Sequence, residues 1–475
     1  MFKIHSFIAG LCAASLCTAM ITAHAEEDGV KRVEADTDSV RPLGRTYFMD
    51  DTLWLPNSAS GVEFTASGSK AAFELTDQGD PSRIGIFVNG ELREDKILED
   101  YISTVEVELD PGENTVRFIK LSEAQYSTLG IDTIVLDKDA KIAPTKPKQR
   151  KLEFVGDSIT CGYGIDMPMK DPVTGEYNKF STDSEDVTKT YAYLTAEYFD
   201  ADINIISASG YGVYCGYSGK LENTLTNWYE RYSVDVFDPY YFSDGTSLEE
   251  TNWDFSLYQP DCVVVNLGTN DWLYLKNHDN DAAFEASYNT LLTEVRQNNP
   301  NAVIICTVGL MGDELFDNIE NAVNAYKEQT ADEKIYTIKL NVIDPLSEGE
   351  AISGHPTEVS NRRAAETELI PFLENIMNWQ ELPEEPAQDT IAVVDEIITD
   401  EEVTDEDPTD EIEKTATLEE DISSSIPEAV EIISSENQNS DEDTLKPDSL
   451  AFKILMGMAV FTAFGGIILL AKLRK

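Results

Sequence analysis

The chain has 475 residues, with 35 basic against 89 acidic side chains and a formal net charge of −54 at pH 7. That charge argues against nucleic acid or an anionic membrane surface as a partner, and the length allows two domains plus additional segments. Six cysteines without any Cys-x-x-Cys spacing argue against a structural zinc site.

Residues 1–25 hold an early Lys3, an apolar run from Phe7 to Ile21 and the small-x-small triplet Ala23-His24-Ala25. This reads as a secretory signal, with the mature chain starting near Glu26. Its removal leaves Cys161, Cys215, Cys262 and Cys306, and only His278 and His355. Cys262 and Cys306 sit in apolar runs and read as core residues. Cys161 and Cys215 follow the first and second strands of one sheet, and an exported chain allows a disulfide between them.

Residues 26–145 are expected to form a β-sandwich of jelly-roll type. Short alternating segments recur at 61–65, 71–75, 83–88 and 104–109, with hardly any helical periodicity between them. Val88-Asn89-Gly90-Glu91 and Pro111-Gly112-Glu113-Asn114 read as hairpin turns. This domain is read as a brace for its neighbour that also lines part of a cleft. Pro144-Thr145-Lys146-Pro147-Lys148 is a short stiff hinge.

The rhythm changes over residues 146–380. Strands are expected at 152–155, 203–207, 262–267, 302–307 and 335–340, and helices at 190–199, 281–298, 318–330 and 357–377. Such alternation predicts an α/β fold, a parallel sheet covered by helices on both faces, in the flavodoxin-like strand order 2-1-3-4-5. Residues 381–448 hold about 25 acidic residues and two lysines, interleaved with Pro, Ser and Thr, and are expected to be a disordered linker. Residues 449–475 combine an apolar run at 454–471 with Lys472, Arg474 and Lys475. This predicts a single transmembrane helix with a basic cytoplasmic tail, placing the protein at the cell surface.

The chemistry gathers at three strand ends: Gly156-Asp157-Ser158, Ser209-Gly210-Tyr211-Gly212 and Gly268-Thr269-Asn270-Asp271. Alone, Gly-Asp-Ser suits a helix cap as well as a nucleophile. On three adjacent strands, the loops supply the parts of an oxyanion hole: the Ser158 N–H, the Gly210 N–H and the Asn270 amide. A serine nucleophile needs a base. His278 lies in a polar loop and reads as solvated, whereas His355, between Gly354 and Pro356, is the candidate base. Tyr163, Tyr211, Tyr214 and Trp272 beside these loops are either sugar-stacking platforms or loop packing.

In that order, Gly-Asp-Ser-Ile-Thr, Ser-Gly-Tyr-Gly, Gly-Thr-Asn-Asp and Gly-His-Pro resemble the blocks of the SGNH (GDSL-like) hydrolases over residues 150–378. With the β-domain in front, the chain resembles carbohydrate esterase family 2, in which a jelly roll precedes the SGNH domain and the substrates are O-acetylated plant polysaccharides. The resemblance implies that Ser158 is the nucleophile and His355 the base and later the acid. Ser158, Gly210 and Asn270 would hold the oxyanion, with no metal or cofactor required. It departs at one point. Most of these enzymes place an aspartate two or three residues before the histidine, where this chain has Ser353 and Ile352. The expectation is therefore a Ser-His dyad with a backbone carbonyl orienting the imidazole, Asp344 and Glu358 being the alternative acids. The competing readings are a non-catalytic surface carbohydrate-binding protein and an esterase for lipid or acetylated peptidoglycan.

Overall fold

The computed structural model describes residues 29–380. The signal peptide, the acidic linker and the transmembrane segment expected above lie outside the described residues. Among the described residues, no helix is long and apolar enough to cross a membrane.

The N-terminal part is a two-sheet antiparallel sandwich. Its strands are β1 (Val30–Val33), β2 (Arg41–Leu43), β3 (Tyr47–Met49), β4 (Thr52–Leu55), β5 (Gly61–Ser67) and β6 (Lys70–Gly79). They continue with β7 (Arg83–Val88), β8 (Glu91–Ile97), β9 (Ile102–Glu108), β10 (Glu113–Lys120), β11 (Ser127–Asp137) and β12 (Ile142–Pro144). One sheet runs β3-β4-β11-β6-β9 with β1 beside β11, and the other runs β12-β5-β10-β7-β8 with β2 beside β5. Alternation directs Val116 and Phe118 of β10 inward against Phe64 and Phe73, and the Phe73 and Phe118 rings lie 4.8 Å apart. Full burial of each such side chain contributes roughly 1.5–3 kcal/mol.

Asn89 and Gly90, both at positive φ, make the expected hairpin turn between β7 and β8. The segment Pro111–Asn114 does not make one. Strand β9 pairs with β6 while β10 pairs with β5 and β7, so this turn carries the chain from one sheet to the other. Turn residues report that the chain reverses, not which sheet it enters next.

The second part is a five-stranded parallel sheet. Its strands are β13 (Arg150–Gly156), β14 (Ala201–Ser207), β15 (Cys262–Asn266), β16 (Val303–Leu310) and β17 (Ile335–Val342), in the order β14-β13-β15-β16-β17. This is the 2-1-3-4-5 arrangement. On one face, α4 (Asp281–Asn298) and α5 (Phe316–Thr330) bury Phe284, Tyr288, Leu292 and Ile319 against Val155, Val265 and Ile304. On the other, α2 (Tyr191–Tyr198), α6 (Glu358–Ala364) and α7 (Ile370–Met377) cover Phe154, Val264 and Ile305. The single helix expected at 357–377 is interrupted by a π-turn over Ala365–Leu369. Two short helices at strand ends, α1 (Ser158–Cys161) and α3 (Thr269–Leu275), stand where the sequence reads as loop.

The two parts interlock. Ile119 and Leu121 of the sandwich join the second core, and Trp54 packs with Tyr232, Phe242 and Trp253 from the irregular stretch between β14 and β15. Fully buried Arg45 donates to the Tyr229 and Arg231 carbonyls at 2.5 and 2.6 Å, with Glu153 at 3.5 Å. Arg41 bridges Glu63 and Asp202. Burial pushes the Glu63 carboxyl up, but Arg117 and Arg41 outweigh it and hold the group at about 2.

Candidate active site

Strand β13 ends at Gly156, where an added Cβ would meet the Thr160 hydroxyl at 2.0 Å, so only glycine lets the chain fold back into α1. Asp157 is the N-cap, accepting the Ile159 N–H at 3.0 Å. The capping function therefore belongs to Asp157 and leaves the Ser158 hydroxyl at the first helical position. Burial raises Asp157 to about 7.

Ser158 Oγ lies 2.8 Å from His355 Nε2, and His355 Nδ1 lies 2.9 Å from the Ile352 carbonyl. A carbonyl only accepts, so Nδ1 carries the proton and Nε2 is free to accept from the serine. Among the described residues no carboxylate bonds to His355. Asp344 instead binds the Leu346 N–H and the Ser347 hydroxyl, and Glu358 pairs with Arg362. The carbonyl reaches Nδ1 because Ser353 and Gly354 are both left-handed, φ 58° and 78°, which curls the chain back on itself. Ser158 and His355 are 7% and 8% exposed. Burial lowers the imidazole to about 4, against the raising effect of the Ile352 carbonyl. His278 is exposed and stacked on Tyr274, away from this pair.

Gly210 follows β14 at φ +83°, and a Cβ there would meet the Tyr217 ring at 2.8 Å. Among the described residues, the Ser158 and Gly210 N–H groups donate to no protein acceptor. Asn270 stands in the first turn of α3, and its Nδ2 donates to the Tyr211 carbonyl at 2.8 Å and to Asp157 at 3.2 Å. The Asp157 bond ties α3 to the residue preceding Ser158. Sequence reasoning passed over Asp271, which accepts the N–H groups of Val213, Tyr214 and Cys215 and fixes the loop after Gly210. Burial raises it to about 6. The available signal was a carboxylate directly after the strand-end Gly268-Thr269-Asn270, since such a group, once buried, needs donors.

Of the four aromatics, Tyr163 lies at the site, its ring 4.7 Å from that of His355 and stacked on Phe180 at 3.8 Å. Tyr126 of the sandwich extends this group, 5.0 Å from Phe180. Tyr211 is used otherwise: it is 3% exposed and donates its hydroxyl to Asp235. Tyr214 and Trp272 are half-buried against the core beneath α4. Cys161 and Cys215 are both buried free thiols, so the disulfide allowed by their position is not formed. Cys161 turns instead toward Ser207 Oγ, 3.1 Å away.

Two family models match the chain. The GDSL-like lipase/acylhydrolase family covers residues 154–361, and the carbohydrate esterase 2 N-terminal domain covers residues 43–145. The cellulase/esterase CelE of Acetivibrio thermocellus is 29% identical over 328 residues, 68% of this chain and 37% of its own length. The chain thus spans little more than a third of that relative. An acetylxylan esterase/glucomannan deacetylase of Cellvibrio japonicus is 26% identical over 73% of this chain and 91% of its own. A family two carbohydrate esterase from Clostridium thermocellum, solved with cellohexaose, superposes with a TM-score of 0.63 at 27% identity, covering 72% of this chain and all of the other. An acetyl xylan esterase from Butyrivibrio proteoclasticus shares the fold with a TM-score of 0.65 at 24% identity, over 74% of this chain and all of its own. With both family models matched in tandem, the chain carries a GDSL-like lipase/acylhydrolase domain preceded by a carbohydrate esterase 2 N-terminal domain, the same two-part fold as in these esterases.

Proposed function

We propose that the chain is a serine esterase that removes O-acetyl groups from polysaccharides such as xylan or mannan. The observation that carries this reading is the 2.8 Å contact between Ser158 Oγ and His355 Nε2, with Nδ1 held by the Ile352 carbonyl. His355 takes the serine proton as Oγ attacks the acetyl carbonyl. The oxyanion is held by the Ser158 and Gly210 N–H groups and by Asn270, whose longer bond, to Asp157, is the more easily shared. Collapse expels the sugar alcohol, which takes the proton from Nε2 and leaves an acetyl-serine. A water molecule, deprotonated by the same imidazole, then attacks the acetyl carbon, and acetate leaves as Ser158 is reprotonated. The carbonyl replaces the usual aspartate as orienter. It fixes the tautomer but adds no negative charge to stabilise the imidazolium, so the expected turnover is lower, not absent.

The substrate class rests on the relatives' activities and on the Tyr163–Phe180–Tyr126 aromatic group beside the histidine. Residues 1–25 and 449–475 support export and anchoring at the cell surface. The test is acetate release from acetylated xylan, acetylated mannan and an aryl acetate. Ser158→Ala and His355→Ala are each expected to lower kcat on the order of 10⁴-fold or more. Full activity in both variants would remove this pair from the chemistry, and no acetate release by the wild type would leave a carbohydrate-binding protein as the better reading.

A further inference from the structure

The residues that follow β10 of the sandwich run beneath the strand ends that carry Ser158 and Gly210. Among them Glu123 is fully buried. Its Oε2 accepts the Ser209 N–H at 2.8 Å and lies 3.5 Å from Cys161 Sγ. Ser209 directly precedes Gly210, and Cys161 ends the helical turn that Ser158 begins. One oxygen, supplied by the other domain, therefore touches both the loop and the helix that bear the reacting groups.

Glu123 is itself held. Its N–H donates to Glu185 Oε2 at 3.0 Å, and Glu185 is also fully buried. Among the described residues, the second oxygens of both carboxylates have no hydrogen-bond partner. Glu123, Glu185 and Cys161 offer ligand atoms within 4.8 Å of one another. Lys120 beside them is committed to the carbonyls of Pro56, Glu123 and Ser127. Two carboxylates this close and removed from water do not both ionise. Burial raises both, with Glu123 adding to the rise at Glu185. Burial also pushes the Cys161 thiol well up, so it acts as a donor and not as a thiolate ligand.

We propose that Glu123, contributed by the β-sandwich, is a positioning residue for the esterase reaction: it holds the Ser209–Gly210 loop and the Ser158 helix in one register, so that the Gly210 N–H and the Ser158 hydroxyl meet the same acyl group. This rests on the reading of Ser158 and Gly210 given above.

The experiment measures kcat and KM of full-length Glu123→Ala, Glu123→Asp and Glu123→Gln on an aryl acetate and on acetylated xylan, with circular dichroism and thermal unfolding alongside. Glu123→Gln keeps an oxygen for the Ser209 N–H and is expected within about threefold of wild-type kcat. Glu123→Ala is expected to lose about 100-fold in kcat on both substrates with KM nearly unchanged, the pattern of a displaced oxyanion donor. Glu123→Asp, which keeps the charge but withdraws the oxygen, is expected to lose about tenfold, and decides the matter if the alanine variant does not fold. Equal kcat in wild type, Glu123→Asp and Glu123→Gln would overturn the proposal. So would a loss of wild-type activity in a chelator, which would assign the free oxygens to a cation. Ser158→Ala in the same assay separates the two readings: if it is inactive while folded Glu123→Ala is fully active, only the positioning role fails.

Discussion

At neutral pH the His355 imidazole is uncharged, because burial holds it at about 4 instead of 6.5. The sign follows directly: the protonated ring cannot accept from Ser158, so activity falls only as pH drops through the lowered value. The acid limb of kcat/KM for acetate release is therefore expected near pH 4, and a limb near 6.5 would mean that the ring is more solvated than its 8% exposure implies. The lowered value also makes His355 a weaker base than an aspartate-paired histidine, consistent with a carbonyl at Nδ1. At this scale the sequence was legible for both partners of the Ser158–His355 contact, since His355 is one of two histidines after residue 25. A backbone carbonyl beside the imidazole was expected from the missing aspartate, but that it is the one of Ile352 was not legible, because a main-chain carbonyl has no residue-type signature.

The loops at the sheet edge are held by helix caps and by buried acids. Asp271 of α3 satisfies three consecutive backbone N–H groups of the loop after Gly210. Asp271→Ala leaves them buried without an acceptor, and a loss of about 3 kcal/mol or more is expected in denaturant unfolding. A loss below about 1 kcal/mol would show that water replaces the carboxylate. Gly210→Ala meets a second constraint, a left-handed φ together with the Tyr217 ring. It is expected to lower kcat by about 10-fold or more, with a smaller effect on unfolding. The glycine-bearing blocks were readable as strand-end loops. That α1 and α3 start there was not, because four- and seven-residue helices carry too little periodicity to announce themselves.

Across the whole molecule, the sandwich and the α/β part share buried charge. Arg45 reaches from one into the other and is the nearby cation of Glu153, which also accepts from Asn204 and Tyr229. Arg45→Met leaves that carboxylate buried beside neutral donors only, and is expected to cost about 3–5 kcal/mol. Arg45→Met with Glu153→Gln is expected to recover part of this in urea unfolding, and no recovery would locate the cost in lost packing against Tyr229 and Trp253. The two parts thus form a joint structural unit, with Glu123 and Tyr126 of the sandwich at the site.

The strand order of the α/β sheet, the β-sandwich in front of it and the candidate residues Ser158 and His355 were legible in the sequence alone. Each rests on local pattern or residue type: strand-helix alternation, period-two burial, a serine at a strand end and one of few histidines. Tertiary structure alone decided the Ile352 carbonyl as the histidine's orienter, the passage of Pro111–Asn114 between sheets, the free state of Cys161 and Cys215, and the reach of Glu123 to Ser209. These depend on groups brought together from 86 positions apart in the case of Ser209 and Glu123, or on main-chain atoms that every residue possesses. Side-chain chemistry is written in the sequence, but which backbone group faces it is settled only when the chain has packed.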